Sequence, residues 1–287
     1  MNEPLYNNLP FAAIEKQLYE LWYEAFGDSK EYIDTFFASF QPEEITHTLT
    51  IERDVVSVLY ALPQTVYIGG RKYKAAYIYA VATATAYRGR GYMRKLMKRV
   101  EQTLLSRGFE FIYLLPATSR LREYYSLSGF ETCSYRKQEN MLLSLKETPL
   151  SCCKISSPNV LLRFFDNTKE RMSPCVLPSL SMLKVNLDNS VMQGGGAYML
   201  VNGDEPVAVA FIVKKESETI VTDIFLHDKA LYPAVADALC RSLGVERVTL
   251  LVPGEGAPSC MARILSEGLR SYKDVLGNIK IGFVLDK

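Results

Sequence analysis

Arg88-Gly89-Arg90-Gly91 combines two guanidinium groups with two glycines immediately before a stretch of helical periodicity. Apolar residues recur at Met93, Leu96, Met97, Val100 and Leu104, one face of a helix, while Arg94, Lys95, Lys98 and Arg99 fill the other. Upstream, Tyr77 to Val81 are aromatic, β-branched or small, which suits a buried strand. A helix N-terminus offers free backbone N–H groups and the positive end of the helix dipole, roughly half an elementary charge. Glycine lets an anion approach the backbone, and arginine adds charge-assisted hydrogen bonds. The chemistry these residues suit is the binding of a phosphate or pyrophosphate. A solvated Arg-Gly connection is the alternative, but a strand before and a helix after is the context that phosphate binding requires. No Gly-Lys-Ser/Thr follows, and the glycines miss the Gly-x-Gly-x-x-Gly spacing, so a P-loop and a dinucleotide fold are both disfavoured.

Such a turn needs elements to hold it. Residues 11 to about 40 read as two helices, the first with an apolar face of Ile14, Leu18, Leu21, Trp22 and Phe26. Gly27-Asp28-Ser29 breaks it, and Ser29 can cap a second helix over 32–40. The aromatic residues Trp22, Tyr23, Phe26, Tyr32, Phe36 and Phe37 are candidates for core packing, or for lining a pocket. Three strands follow over 46–53, 55–67 and 72–81, with turns at Arg53-Asp54 and Gly69-Gly70. After the basic helix the pattern predicts a strand over 109–115, a short helix over 119–127 and closing strand material over 134–145.

Together these residues resemble the acetyl-CoA signature of the Gcn5-related N-acetyltransferases (GNATs), whose pattern is Gln/Arg-x-x-Gly-x-Gly/Ala. Arg88 and Gly91 match its first two fixed positions, and Met93 stands where Gly or Ala is usual. Tyr124-Tyr125-Ser126-Leu127-Ser128-Gly129-Phe130 is similar to the family's Tyr-x-x-x-Gly-Phe segment, so that the resemblance covers roughly residues 10–145. It implies an α+β fold, a mixed and mostly antiparallel sheet flanked by helices, with acetyl-CoA as cosubstrate and no metal. The strand carrying Val81, Ala82 and Thr83 would splay from its neighbour and pair with the pantetheine arm. Arg88, Gly89, Arg90, Gly91 and Tyr92 would hold the pyrophosphate. Tyr125 matches the tyrosine that commonly protonates the departing thiolate, a step a neighbouring phenol can serve. The alternative for Tyr125 is that it packs as an amphipathic core residue.

The 287 residues suffice for two ordinary domains, and 48% apolar against 23% charged is a globular balance. A net charge of +1 gives no global field that would favour nucleic acid. No run approaches the roughly twenty apolar residues needed to span a bilayer. Met1-Asn2-Glu3-Pro4 lacks a secretory pattern. The six cysteines form no Cys-x-x-Cys pair and the histidines are only His47 and His227, which argues against a structural zinc site and for a reduced, cytoplasmic setting.

The pattern lapses around 145–158, with Pro149, Ser151, Ser156, Ser157 and Pro158, which sets a boundary between domains 1–147 and 148–287. The second domain reads as a worn copy of the first. Leu243 to Pro253 parallels Ser106 to Pro116, an offset of 253 − 116 = 137, and a hairpin across Asn202-Gly203 precedes a strand over 219–226 that stands in for that of Val81. There His227-Asp228-Lys229-Ala230 replaces the glycine turn, and Asp228 would repel a phosphate. Met261 and Ala262 fall where Tyr124 and Tyr125 stand in the first copy. Gln193-Gly194-Gly195-Gly196 precedes a strand, not a helix, and reads as a loop.

The layout resembles the enhanced-intracellular-survival type of acetyltransferase, whose members carry an active GNAT domain, a degenerate one and a sterol-carrier-like domain. The third is not expected within these residues, and no active-site role is carried over to Lys287. The function this implies is acetyl transfer from acetyl-CoA to a primary amine by direct attack, with backbone N–H groups near Val81 polarising the thioester carbonyl. The general base has no clear candidate; Glu43, Glu44 and Glu52 qualify only by neighbourhood. Aminoglycosides, polyamines, peptide N-termini and protein lysines all fit as acceptors, and an oligomer is possible. A CoA-binding sensor or assembly module without chemistry is the second reading.

Overall fold

The computed structural model describes residues 3–144, 147–216, 218–226, 228–254, 256–277, 279–283 and 285. His227, Lys287 and Leu145, the last residue of the expected 134–145 strand, lie outside them. Two compact units form, and neither follows a single cut in the chain. The first comprises Met1–Val66, Lys72–Thr132 and Cys260–Asp274; the second comprises Tyr67–Arg71, Cys133–Ser259 and Val275–Lys287.

In the first unit, α1 (Phe11–Phe26) ends at Gly27, whose left-handed φ of 66° lets its N–H bond the Tyr23 carbonyl at 2.8 Å. Ser29 caps α2 (Lys30–Ser39) by accepting from the Tyr32 N–H at 3.2 Å. Trp22, Tyr32, Phe36 and Phe37 are buried core, with the Trp22 ring 4.9 Å from Phe36 and 5.0 Å from Tyr60. Tyr23 and Phe26 are exposed. The strands β1 (Thr46–Ile51), β2 (Asp54–Ile68) and β3 (Arg71–Thr83) follow. β3 runs past the expected end at residue 81 because β2 holds its tip: Ser57 and Thr83 hydroxyls meet at 2.9 Å, and the Ala84 N–H bonds the Val56 carbonyl at 3.0 Å. Then come α3 (Tyr92–Ser106), β4 (Phe111–Leu114) and α4 (Ser119–Ser126), the last capped by Thr118.

The second unit contains β5 (Tyr135–Leu142), β6 (Leu150–Ile155), α5 (Pro158–Met172), α6 (Leu180–Met192), β7 (Gly196–Asn202), β8 (Glu205–Lys215), β9 (Glu218–Leu226), α7 (Tyr232–Leu243) and β10 (Arg247–Pro253). Its sheet runs β5-β10-β9-β8-β7-β6, with a short edge strand beside β5. β9 and β10 pair in parallel at Ile220↔Thr249 and Val221↔Leu250, as β3 and β4 do at Ala75↔Phe111 to Tyr77↔Tyr113. Both units therefore contain a run of antiparallel strands, a helix and a strand that returns in parallel. Gly195 sits where a Cβ would fall 1.9 Å from the Ile212 carbonyl oxygen, so that loop serves close packing.

The closing strands correct the sequence reading. Residues 135–142 do not close the first sheet; β5 pairs with β10, from Arg247↔Leu142 to Pro253↔Arg136. The place beside β4 is taken by β11 (Met261–Ile264), from Met261↔Leu114 to Ile264↔Phe111. The slot is apolar, and Met261 (1% exposed) and Ala262 (7%) fill it, whereas β5 carries Arg136, Lys137, Gln138 and Glu139. Met261 and Ala262 are thus strand residues of the first unit and not helical counterparts of Tyr124 and Tyr125. No helix among the described residues is long and apolar enough to cross a membrane.

Candidate active site

The ladder between β3 and β4 spans Ala75 to Tyr77 and stops. Three residues on, Ala80 takes a φ of 45° while 6% exposed, a break in extended geometry that redirects the strand. Where β3 leaves β4 a cleft of about 540 Å³ opens, and Val81, Thr83, Arg88, Gly91, Arg94 and Tyr125 lie on its walls. Gly89 and Tyr92 line it too. Alternation turns Ala82 (5% exposed) to the other face of the strand.

The turn that joins β3 to α3 is fixed by its own first arginine. Arg88 Nε donates to the Thr83 carbonyl at 3.0 Å, and its Nη2 lies 3.7 Å from Glu24, which also accepts from the Thr85 hydroxyl. Gly89 and Gly91 both hold φ at 76°, and no protein atom lies within 4 Å of where a Cβ would project. The left-handed geometry demands glycine, since other residues lose about 1–2 kcal/mol there. The open side leaves room for a ligand against the backbone. Gly91 caps α3 without a side-chain hydrogen bond, so the first N–H groups of the helix stay available. Among the described residues Arg88 and Arg94 line the cleft and no Asp or Glu does, a balance that favours an anion. Arg90 is not on its walls; its guanidinium lies 5.5 Å from the Tyr87 ring centre.

Tyr125 projects from α4 with 6% of its surface exposed. Its ring meets Tyr124 at 5.3 Å and Phe130 at 5.7 Å, both edge-on. It packs in the core and lines the cleft at once. Burial, then the neighbouring Tyr124, pushes its phenol well above the ordinary tyrosine range, which keeps it protonated. Tyr124 is raised by burial and pulled back by the charge of Arg94 and a hydrogen bond to it.

Arg94 is not singled out by the sequence reading, which places it only on the basic face of the helix; its i+3 spacing from the Gly91 cap is the signal that brings it to the same end. Tyr92 takes the buried slot of α3, and Met93, expected in the apolar face, is half-buried against the cleft. Glu43 and Glu44 lie in the short helix Pro42–Ile45 and Glu52 in the turn before β2, none of them on the cleft wall. At the corresponding place in the second unit, Asp228 accepts the Ala230 N–H at 2.9 Å, so a carboxylate occupies the turn before α7. Among the described residues, no three His, Cys, Asp or Glu side chains are placed to hold a metal ion.

Residues 12–133 match the family model described as an acetyltransferase (GNAT) domain. No curated protein matches the chain in sequence. Among solved structures, the fold is similar to that of a conserved protein of unknown function and probable N-acyltransferase from Enterococcus faecalis, with 17% identity and a TM-score of 0.77 over 94% of this chain and 74% of that one. A GCN5-related N-acetyltransferase from Anabaena variabilis aligns at 16% identity and TM-score 0.74, over 92% of this chain and 73% of that one. Eis1 from Mycobacterium abscessus aligns at 10% identity and TM-score 0.69, over 92% and 74%. At these identities the likeness is one of fold, and it extends across both units.

Proposed function

We propose that the chain is an N-acetyltransferase using acetyl-CoA and a primary amine, on the premise that residues 12–133 match the model of an acetyltransferase (GNAT) domain. The observation that carries this is one cleft in which a glycine turn at a helix N-terminus, two arginines, an unpaired strand end and a protonated tyrosine converge. The residues fit acetyl-CoA. Gly89 and Gly91 leave the backbone open to a pyrophosphate, and Arg88 and Arg94 supply positive charge. The backbone of β3 beyond Tyr77 has no β4 partner and offers groups to an extended pantetheine arm.

When bound, the cosubstrate supplies an acyl thioester. Tyr125 holds a proton in the cleft and is the donor to the leaving sulfur; its raised pKa keeps that proton in place at neutral pH. N–H groups at the end of β3 orient the carbonyl, and Leu121 and Met93 give the cleft an apolar side. Among the described residues no carboxylate lines the cleft, and solvent can take the proton of the attacking amine. The acceptor is a small-molecule or peptide amine in the cytoplasm, with no role for nucleic acid or membrane. Thiol release from acetyl-CoA with a panel of polyamines, aminoglycosides and peptide amines tests this. Release that requires an amine and falls in Tyr125→Phe supports it; binding without release under every amine would leave a CoA sensor instead.

A further inference from the structure

In the second unit, β9 and β10 pair only at Ile220 to Val221 and then part, as β3 and β4 do in the first. The chain's own tail occupies this wedge. The Phe283 N–H bonds Asp223 Oδ1 at 2.9 Å, and the Phe283 ring stacks on Phe225 at 4.5 Å. Arg136 pairs with the same Asp223 oxygen at 3.0 Å and reaches the Ile281 carbonyl at 3.4 Å. A cavity of about 140 Å³ remains beside the tail. Its floor is apolar, with Phe165, Met172, Ile224 and Leu226, and its charged lining is Arg136, Lys229, Lys280 and Asp223.

Among the described residues the charges do not balance. Asp223 is already matched by Arg136, which leaves two ammonium groups over an apolar floor. Among the described residues neither Lys229 nor Lys280 forms an ion pair. Burial pulls the Lys280 ammonium toward its neutral form; the nearby Cys175 opposes this and the charge of Lys229 adds to it. An anion would relieve the half-buried Lys280, and the exposed Lys229 would add its charge from the solvent side. The cavity is large enough for a small organic molecule.

We infer that this cavity binds a small organic carboxylate, its apolar body on Phe165 and Ile224 and its charge against Lys229 and Lys280. The site has lost the phosphate turn, and the tail has narrowed the wedge to the size of a short-chain or aromatic acid. It owes nothing to the acetyl-transfer reading of the first unit.

Calorimetric titration of the full chain with benzoate, and with its neutral counterpart benzamide, tests this. Benzoate is expected to bind at one site and benzamide about tenfold or more weaker, the loss of one charge-assisted hydrogen bond. Lys229→Ala with Lys280→Ala should weaken benzoate by at least a similar factor of about ten. Arg88→Ala, in the other unit, should leave it unchanged. The benzamide comparison needs no variant, so it stands if the double variant folds poorly. Absence of binding at roughly 10 mM, equal affinity for benzamide, or a response to Arg88→Ala and not to the lysines would overturn the inference.

Discussion

Arg88 turns back on its own strand: its Nε donates to the carbonyl of Thr83 at 3.0 Å. That one bond joins the two halves of the cleft, the strand end and the glycine turn, to which the proposed function gives the extended arm and the pyrophosphate. Arg88→Ala removes both the tether and a positive charge. Acetyl-CoA affinity should fall about 10- to 100-fold, the scale of a lost charge-assisted hydrogen bond. Folding should change little, because the ion pair with Glu24 is half-exposed. Calorimetry and urea unfolding of the variant check the two together.

Gly91→Ala should cost about 1–2 kcal/mol of stability through its left-handed backbone and should also weaken acetyl-CoA binding. Gly203→Ala is the control: its φ is 59°, with the same open surroundings, in a hairpin of the second unit. Comparable unfolding shifts with loss of acetyl-CoA affinity in Gly91→Ala alone would assign the first glycine to the site.

Tyr125→Phe keeps the ring and its edge contacts with Tyr124 and Phe130 while removing the proton. Turnover should drop about 100-fold or more, the usual yield of general acid catalysis, with acetyl-CoA affinity nearly unchanged. Because the phenol titrates above its ordinary value, wild-type turnover should show no loss assignable to this tyrosine below about pH 10. Steady-state kinetics against pH for both proteins measures this.

His47 makes stability depend on pH on the acid side. It is 2% exposed, Tyr6 Oη lies 2.7 Å from its Nδ1, and its buried Nε2 has no hydrogen-bond partner. Burial first, then the charge of Arg107, lowers its pKa to about 4. The unfolded chain takes up this proton near pH 6.5, well before the folded one does. The stability contributed by neutral His47 is therefore complete above that pH and is lost as pH falls toward about 4, by about 3 kcal/mol. Urea midpoints across this range should fall steeply in the wild type and less in His47→Gln.

The basic turn and its flanking elements were legible because local rules fix them: period-two strands, a capped helix, glycines at positive φ. Trp22 followed from helical periodicity for the same reason. The exchange of closing strands was not legible. β11 is only four residues long, and what decides the partners of β5 and β11 is the apolar slot beside β4, a long-range fact no local window contains. The repeat offset matched Met261 to Tyr124 in number while the fold put a strand there. Arg94 was missed because its charge resembles that of its solvated helical neighbours, and only the cleft distinguishes it.

The central claim is that the first unit holds the acetyl-CoA site and the second has lost it. Calorimetric titration of the full chain with acetyl-CoA tests this most directly. The account predicts one site per chain, abolished or strongly weakened in Arg88→Ala. No binding at millimolar ligand, or two equal sites indifferent to Arg88, would contradict it.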